Sequence, residues 1–393
     1  MSYFSTLLVV MRKELLDLKR DRRTLLLVLL IAPLLYPALM LGMGSLAEKR
    51  IRTQIDSVMT VPVIGQNHAP NLIDFLHAYG INAAAPPDDL EQSIRQQKVD
   101  VALRIDSGFA EDWAAGRPAL VEIIRDSTQR DADIPANRLQ MALAAYGQQV
   151  GALRLLARGI DPGVSHPLDV GVQDMASAQA KRSMILALLL PVLLTITSFT
   201  GGAYLILDAT AGERERQSLE PLLTTPASRG AIVSGKIAAA CLVGLATLFL
   251  TLLAFKLTAL FSTDIAKQLN VSTRAISLML VILVPMLFIG TSLLTLLAAS
   301  AKSMKEAQSH MTWLVLLPLI PSYALMVNPL KNQLWQFAVP FLAQNQLLLK
   351  VIRYEPVSAQ TWGVYLISSC SLAIILWFAA VWRYQQEKLA ISG

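Results

Sequence analysis

The chain has 393 residues, of which 54% are hydrophobic and 16% charged, with a net charge of +6 and a mean hydropathy of +0.49. A globular chain carries roughly 25% charged residues, and the shortfall here is concentrated in long uncharged stretches, which excludes a disordered, fibrous or wholly soluble protein. What remains is an α-helical membrane protein that crosses the bilayer several times.

Residues 1–23 hold Phe4, Leu8, Met11, Leu15 and Leu18 on one helical face, with Arg12, Lys13, Asp17 and Arg20 elsewhere. That pattern predicts an amphipathic helix lying in the cytoplasmic interface. A hydrocarbon core of about 30 Å needs roughly 20 apolar residues, and six uncharged intervals meet that length: Thr24 to Ala47, Ser183 to Leu207, Ile237 to Phe255, Ala275 to Ala301, Met311 to Leu330 and Pro356 to Trp382. Ser45-Leu46-Ala47 has the form of a cleavage site, but the apolar stretch before it exceeds a signal peptide's ~7–15 residues, so residues 24–47 read as an uncleaved anchor. Asn332 to Leu349 is uncharged yet rich in glutamine, with Pro340 inside; segment 332–349 reads as interfacial or re-entrant.

Residues 48–182 read as an α/β domain: strands at Val61 to Gly65, Ile81 to Ala84, Val99 to Ile105 and Leu120 to Arg125, with helices at Asn71 to Tyr79, Leu90 to Lys98 and Pro135 to Ala157. Its acids and bases nearly balance. Both cysteines, Cys241 and Cys370, fall in expected spans, so this domain holds by packing without a disulfide.

Basic residues are retained on the cytoplasmic side. With the N-terminus inside, Arg12, Lys13, Lys19, Arg20, Arg22, Arg23, Arg214, Arg216, Arg229, Lys236, Lys302, Lys305, Arg383 and Lys388 face the cytoplasm, against only Lys267, Arg274, Lys331, Lys350 and Arg353 in the short outer loops. The reading is therefore an inner-membrane, multi-pass protein with six transmembrane helices, spans two to six over 183–382, a tail at 383–393, and both termini cytoplasmic. Domain 48–182 is then extracytoplasmic, between the first two helices. A basic edge facing anionic lipid accounts for the +6, and no nucleic acid is implied.

The cytoplasmic stretch 208–236 contains Glu213-Arg214-Glu215-Arg216, then Ser218-Leu219-Glu220 and Leu222-Leu223, then Thr225-Pro226. Leucines at helical spacing beside paired charges suit a docking element, in which the leucines fill a partner's groove and the charges set register. The other reading is a solvated loop anchoring two helix ends.

This run resembles the motif of ABC transporter permeases of the ABC-2 type, close to the NatB-like branch associated with sodium efflux, although Pro221 departs from the pattern. Arg12-Lys13-Glu14-Leu15 resembles the family's N-terminal interfacial helix, the layout of one span, a large loop and five spans is similar, and Leu347 to Arg353 resembles the stretch before the last span. The resemblance implies a permease subunit that works as a homodimer with two copies of a cytosolic ABC ATPase. Glu213, Arg214, Glu215, Arg216, Ser218, Leu219, Glu220, Leu222, Leu223, Thr225 and Pro226, with Arg12, Lys13 and Glu14, would receive the ATPase stroke. ATP and magnesium would sit on the partner, and this chain would bind no cofactor and catalyse nothing itself.

Gly230 to Lys236 has the glycine and lysine spacing of a phosphate-binding loop, but Ile237 stands where Ser or Thr should hold magnesium and a span begins there. It is set aside as a decoy. The four histidines, His68, His77, His166 and His310, are scattered, and Asp126, Asp131 and Asp133 read as capping residues with a weak cation site as the alternative. Within the spans the polar groups are hydroxyls: Thr195, Thr197, Ser198 and Thr200 on the second, Thr291, Ser292 and Thr295 on the fourth. Helix packing is their simpler role; the functional one is to line a translocation path. The absence of a carboxylate within the spans counts against sodium as cargo. An ATP-driven transmitter of force to an envelope partner is the alternative to an exporter, and an intramembrane hydrolase is disfavoured because no paired Asp, His or nucleophile turn occurs there.

Overall fold

A computed structural model describes residues 2–56, 58–165, 167–168, 171, 173, 184–218, 221, 226–261, 268–301, 303–327 and 333–386. Contacts divide the chain into two compact units, Leu46–Asp174 and a second made of Met1–Ser45 with Met175–Gly393.

Helix α1 (Tyr3–Arg20) starts where the Ser2 hydroxyl accepts from the Ser5 N–H, and it stops at Asp21, whose carboxylate caps α2 (Arg22–Leu26) by accepting from Thr24 N–H. A π-helical turn over Leu27–Ile31 leads into α3 (Ala32–Asp56). Pro33 has no N–H to give the carbonyl four residues back, which accounts for the widened turn ahead of it. The predicted boundary at Ala47 is overrun because nothing between Ala47 and Asp56 breaks a helix.

In the Leu46–Asp174 unit, β1 (Met59–Ile64), α4 (Pro70–Ala78), β2 (Ile81–Ala84), α5 (Leu90–Arg95), β3 (Val101–Ile105), α6 (Phe109–Ala114), β4 (Val121–Arg125) and α7 (Asp133–Ala157) follow in order. The sheet order is β2-β1-β3-β4; β1 runs parallel to both neighbours, and β4 is antiparallel to β3 with Leu103 opposite Ile123. Val61, Val63, Leu72, Leu76, Leu103 and Leu139 close its core. Every predicted strand and helix appears, with ends shifted by a few residues. Gly80 has φ +72°, the left-handed conformation in which a helix ends and a strand can follow at once. Asp126 accepts from the Thr128 amide and hydroxyl, which holds its carboxyl below the usual carboxylate range, and Asp133 pairs with Arg125 at 2.7 Å. These are local caps and pairs. No cluster of three metal-ligating side chains occurs among the described residues.

The other unit is helical: α8 (Met184–Thr200), α9 (Ala203–Leu207), a π-turn over Asp208–Gly212, α10 (Glu213–Glu215), α11 (Arg229–Leu257), α12 (Thr273–Ala298), α13 (Met304–Val327), α14 (Pro340–Ile352) and α15 (Ala359–Gln385). Five helical stretches among the described residues are long and apolar enough to cross a membrane: Arg22–Leu46, Leu189–Glu215, Arg229–Leu257, Thr273–Ala298 and Ala359–Gln385. The expected span Met311 to Leu330 falls on α13, which is helical to Val327 and carries Pro318 and Pro321, but it is not one of the five.

Two close approaches set the helix packing. A Cβ on Gly202 would lie 2.3 Å from the Ala240 carbonyl oxygen, and one on Gly235 would lie 2.8 Å from the Leu7 carbonyl oxygen and from Val10 Cβ. The second span therefore seats directly on α11, and so does α1, as small residues allow between membrane helices. Segment 332–349 becomes a short turn at Leu334–Ala338 followed by α14, whose Gln344, Asn345 and Gln346 are buried inside the bundle. Gln344 donates to the Thr195 hydroxyl and Gln346 to the Gln336 side-chain oxygen, each at 2.8 Å.

Candidate functional site

The charged run after the second span lies where α1, α11, α12 and α13 meet, and each of its four residues reaches a different element. Glu213 is 6% exposed. One carboxylate oxygen accepts from Lys13 of α1 at 3.0 Å, and the other pairs with Lys236 of α11, which also donates to the Ala209 carbonyl. Arg214 donates to the carbonyls of Ala299 and Ala301 at 2.7 and 2.8 Å, satisfying the open C-terminal end of α12. The Glu215 carboxylate accepts from the Met304 N–H at 2.9 Å, at the N-terminus of α13, where a negative charge is favoured. Arg216 turns back to Asp208 of the π-turn at 3.0 Å.

The backbone makes this fan possible. Gln217 takes φ 55°, its N–H donates to the Arg214 carbonyl and the Ser218 N–H to the Glu213 carbonyl, so the helix closes on itself and leaves the four side chains diverging. The second span thus runs to Glu215 and the third starts at Arg229, where the Ser228 hydroxyl caps it. The expected loop 208–236 contracts to the residues between. Its predicted boundary failed because a boundary drawn at charges assumes that charges face water, and these are paired inside the bundle.

Electrostatically the cluster is two acids against two bases. Glu14 of α1, also 6% exposed, accepts from Lys13 at 3.0 Å. Burial pushes its carboxyl above the usual range, against the pull of Lys236 and Lys13. Burial works against the charge on Lys13, but the hydrogen bond and charge of Glu213, with Glu14 beside it, outweigh it and raise the ammonium above its ordinary value. A second contact ties the same elements together: the Ser234 hydroxyl of α11 accepts from Trp377 Nε1 of α15 at 2.9 Å and shares a 2.9 Å hydrogen bond with the Tyr3 hydroxyl of α1.

Lys236 is the residue that sequence reasoning missed. It was counted as a basic charge at the cytoplasmic edge and as the lysine of a decoy phosphate loop, whereas it is 0% exposed and is the counter-ion of Glu213. Gly230 to Lys236 is continuous helix, which offers no phosphate cradle. The signal was available in Gly235 and Ala238 to Ala240, small residues around Lys236 that mark a helix-packing face and not a lipid-facing one.

Of the other expected coupling residues, Glu14 and Glu213 act from inside the subunit and present no free carboxylate at its surface. Arg12, Ser218 and Pro226 are exposed or partly exposed; Leu219, Glu220, Leu222, Leu223 and Thr225 lie outside the described residues. On α1, read as an interfacial helix, Met11, Leu15 and Leu18 pack on the bundle core, while Phe4 and Leu8 are exposed and Thr6 and Glu14 take the buried face. The seven hydroxyls divide into packing contacts. Those of Thr195, Thr197, Thr200, Thr291 and Thr295 donate to carbonyls four residues back, Ser198 to the carbonyl of Thr195, and Ser292 is fully buried.

The family model described as ABC-2 family transporter protein matches residues 22–382. The ABC transporter permease protein NatB of Bacillus subtilis (strain 168) is 26% identical over 353 residues, covering 87% of this chain and 89% of the relative. With its apolar spans and the charged run that ends the second of them, the chain belongs to the ABC-2 transporter family, as a membrane permease subunit of an ABC transporter.

Proposed function

We propose that this permease is the membrane half of an ATP-driven exporter: a homodimer of six-span subunits in the inner membrane, with both termini cytoplasmic, bound to two copies of a separate cytosolic ATPase that holds the ATP and magnesium. The observation that carries the reading is the Glu213 junction. Through residues 213–216 one short segment grips α1, α11, α12 and α13 at once. A push delivered to the adjoining residues 217–228 would then move four elements as one body, which is what coupling a remote ATPase to the spans requires. Residues Leu219, Leu222 and Leu223 would fill a groove on the ATPase, with Glu220, Thr225 and Pro226 flanking them. The lack of a carboxylate at mid-span favours an amphipathic or apolar substrate over a bare cation, since a lone charge in a span costs at least ~2.5 kcal/mol and is kept where ions pass.

Substituting Leu222→Asp and Leu223→Asp tests the docking. In proteoliposomes that also contain the cognate ATPase, the double variant should insert normally and lose the stimulation of ATP hydrolysis by the permease; full stimulation would refute the assignment. The independently closed core of the Leu46–Asp174 unit favours a second reading, in which the movement is delivered to an envelope partner. ATP-dependent movement of cargo into inverted vesicles that contain only the permease and its ATPase separates export from force transmission.

A further inference from the structure

At the end of the helical unit remote from Glu213, the N-termini of α12 and α15 and the C-terminus of α14 border a half-open cavity of about 360 Å³. Its walls are apolar on one side, with Leu278, Val351, Val357 and Trp362, and at its edge stands Arg274. Among the described residues the Arg274 guanidinium has no hydrogen-bond or ion-pair partner. The acid that lines the same cavity, Glu355, is engaged elsewhere, with Lys350 at 3.5 Å and Arg353 at 4.0 Å. Tyr354, also in the wall, is held at φ 59°, a left-handed conformation that costs a residue with a side chain on the order of 1 kcal/mol or more.

Position along the helices says what such a cavity can take. Arg274 lies in the first turn of α12, directly before the uncharged run to Ala301, and Trp362 lies in the first turn of α15, within the uncharged run to Trp382. Both therefore stand where a bilayer's headgroups meet its hydrocarbon, the level at which tryptophan collects. The volume falls within the ~300–1,000 Å³ of small-molecule sites. A guanidinium with free donors pairs its N–H groups with a carboxylate or a phosphate, and at the headgroup level the anion at hand is the lipid phosphate.

We infer that this cavity is a binding site for one anionic phospholipid, its phosphate on Arg274 and the upper part of an acyl chain against Leu278, Val351 and Trp362. The excess positive charge around it selects anionic over zwitterionic headgroups. The inference rests on the helices crossing a bilayer and not on the direction of transport, so it survives if export is disproved.

The full-length protein, delipidated in detergent and titrated with phosphatidylglycerol or phosphatidylcholine, is read by native mass spectrometry. One phosphatidylglycerol should stay bound in preference to phosphatidylcholine, and Arg274→Gln should weaken its retention about fivefold, the effect of one basic side chain near anionic lipid. Leu278→Trp, which narrows the apolar part of the cavity, should weaken retention of that lipid, while Arg104→Gln on the β-sheet should leave it unchanged. Thermal unfolding of each variant identifies any that fail to fold, and Arg274, being exposed, is replaceable without loss of the fold. Equal retention by Arg274→Gln and the parent, or equal retention of the two lipids, overturns the proposal. Displacement of the lipid by excess inorganic phosphate does so too, since it marks a site for the free anion.

Discussion

The two units of this chain use charge in opposite ways. In the α/β unit the ion pairs lie on the surface: Arg104 with Glu122, both 48% exposed, and Arg125 with Asp133, 39% and 55% exposed. In the helical unit Lys236 and Glu213 are 1% and 8% exposed and share their pairing with Lys13. An exposed pair contributes about 0–1 kcal/mol, because water screens it and two long side chains must be ordered. A buried pair gains little over an apolar replacement, yet losing one partner strands the other charge at a cost of ~3–5 kcal/mol. The α/β unit thus tolerates loss of these pairs, whereas the helical unit, which also has exposed pairs such as Arg216 with Asp208, is committed to Lys236 and Glu213.

Lys236→Met is expected to produce the largest effect, a loss of ~3–5 kcal/mol, read as a fall in the thermal unfolding midpoint in detergent. Adding Glu213→Leu should recover most of that stability, because the stranded acid goes with its partner, but the recovered protein should still fail to stimulate its ATPase. A double variant that regains both stability and stimulation would show that the pair is structural only. Gly235→Leu should come next. The new side chain meets the α1 backbone and Val10, and overpacking costs ~1–3 kcal/mol; faster proteolysis near the N-terminus would report the lifting of α1. Smallest is Arg104→Ala, expected to cost under ~1 kcal/mol and to leave coupling untouched. A larger loss there would remove the contrast between the units.

How much of this was readable beforehand follows the same division. In the α/β unit local rules decide local structure: short apolar runs bounded by turn residues mark β1 and β3, and Gly80 and Gly159 end their helices. Five of the six expected spans coincide with helices long and apolar enough to cross a membrane, and were readable from uncharged length. The candidate site was readable as a charged run at a membrane edge, but the directions of its side chains were not, since the partners of Glu213 lie 200 and 23 residues away in the chain. A charge at a span's end can snorkel to water or pair within the bundle, and one-dimensional spacing treats the two alike. Gln344 and Gln346 show the same limit: their glutamine-rich segment read as interfacial or re-entrant, and spacing alone does not give their partners, Thr195 and Gln336.

The hydroxyl of Ser234 has a consequence for how the molecule is built. Its two partners sit near opposite ends of the chain, Tyr3 at the start and Trp377 in the last helix. During synthesis Tyr3 can reach Ser234 once α11 is made, whereas the Trp377 hydrogen bond must wait for the last helix, and late, long-range contacts of this kind slow assembly. A truncated product stopping before that helix would keep α1 seated on α11 and leave the Ser234 hydroxyl with one partner in place of two.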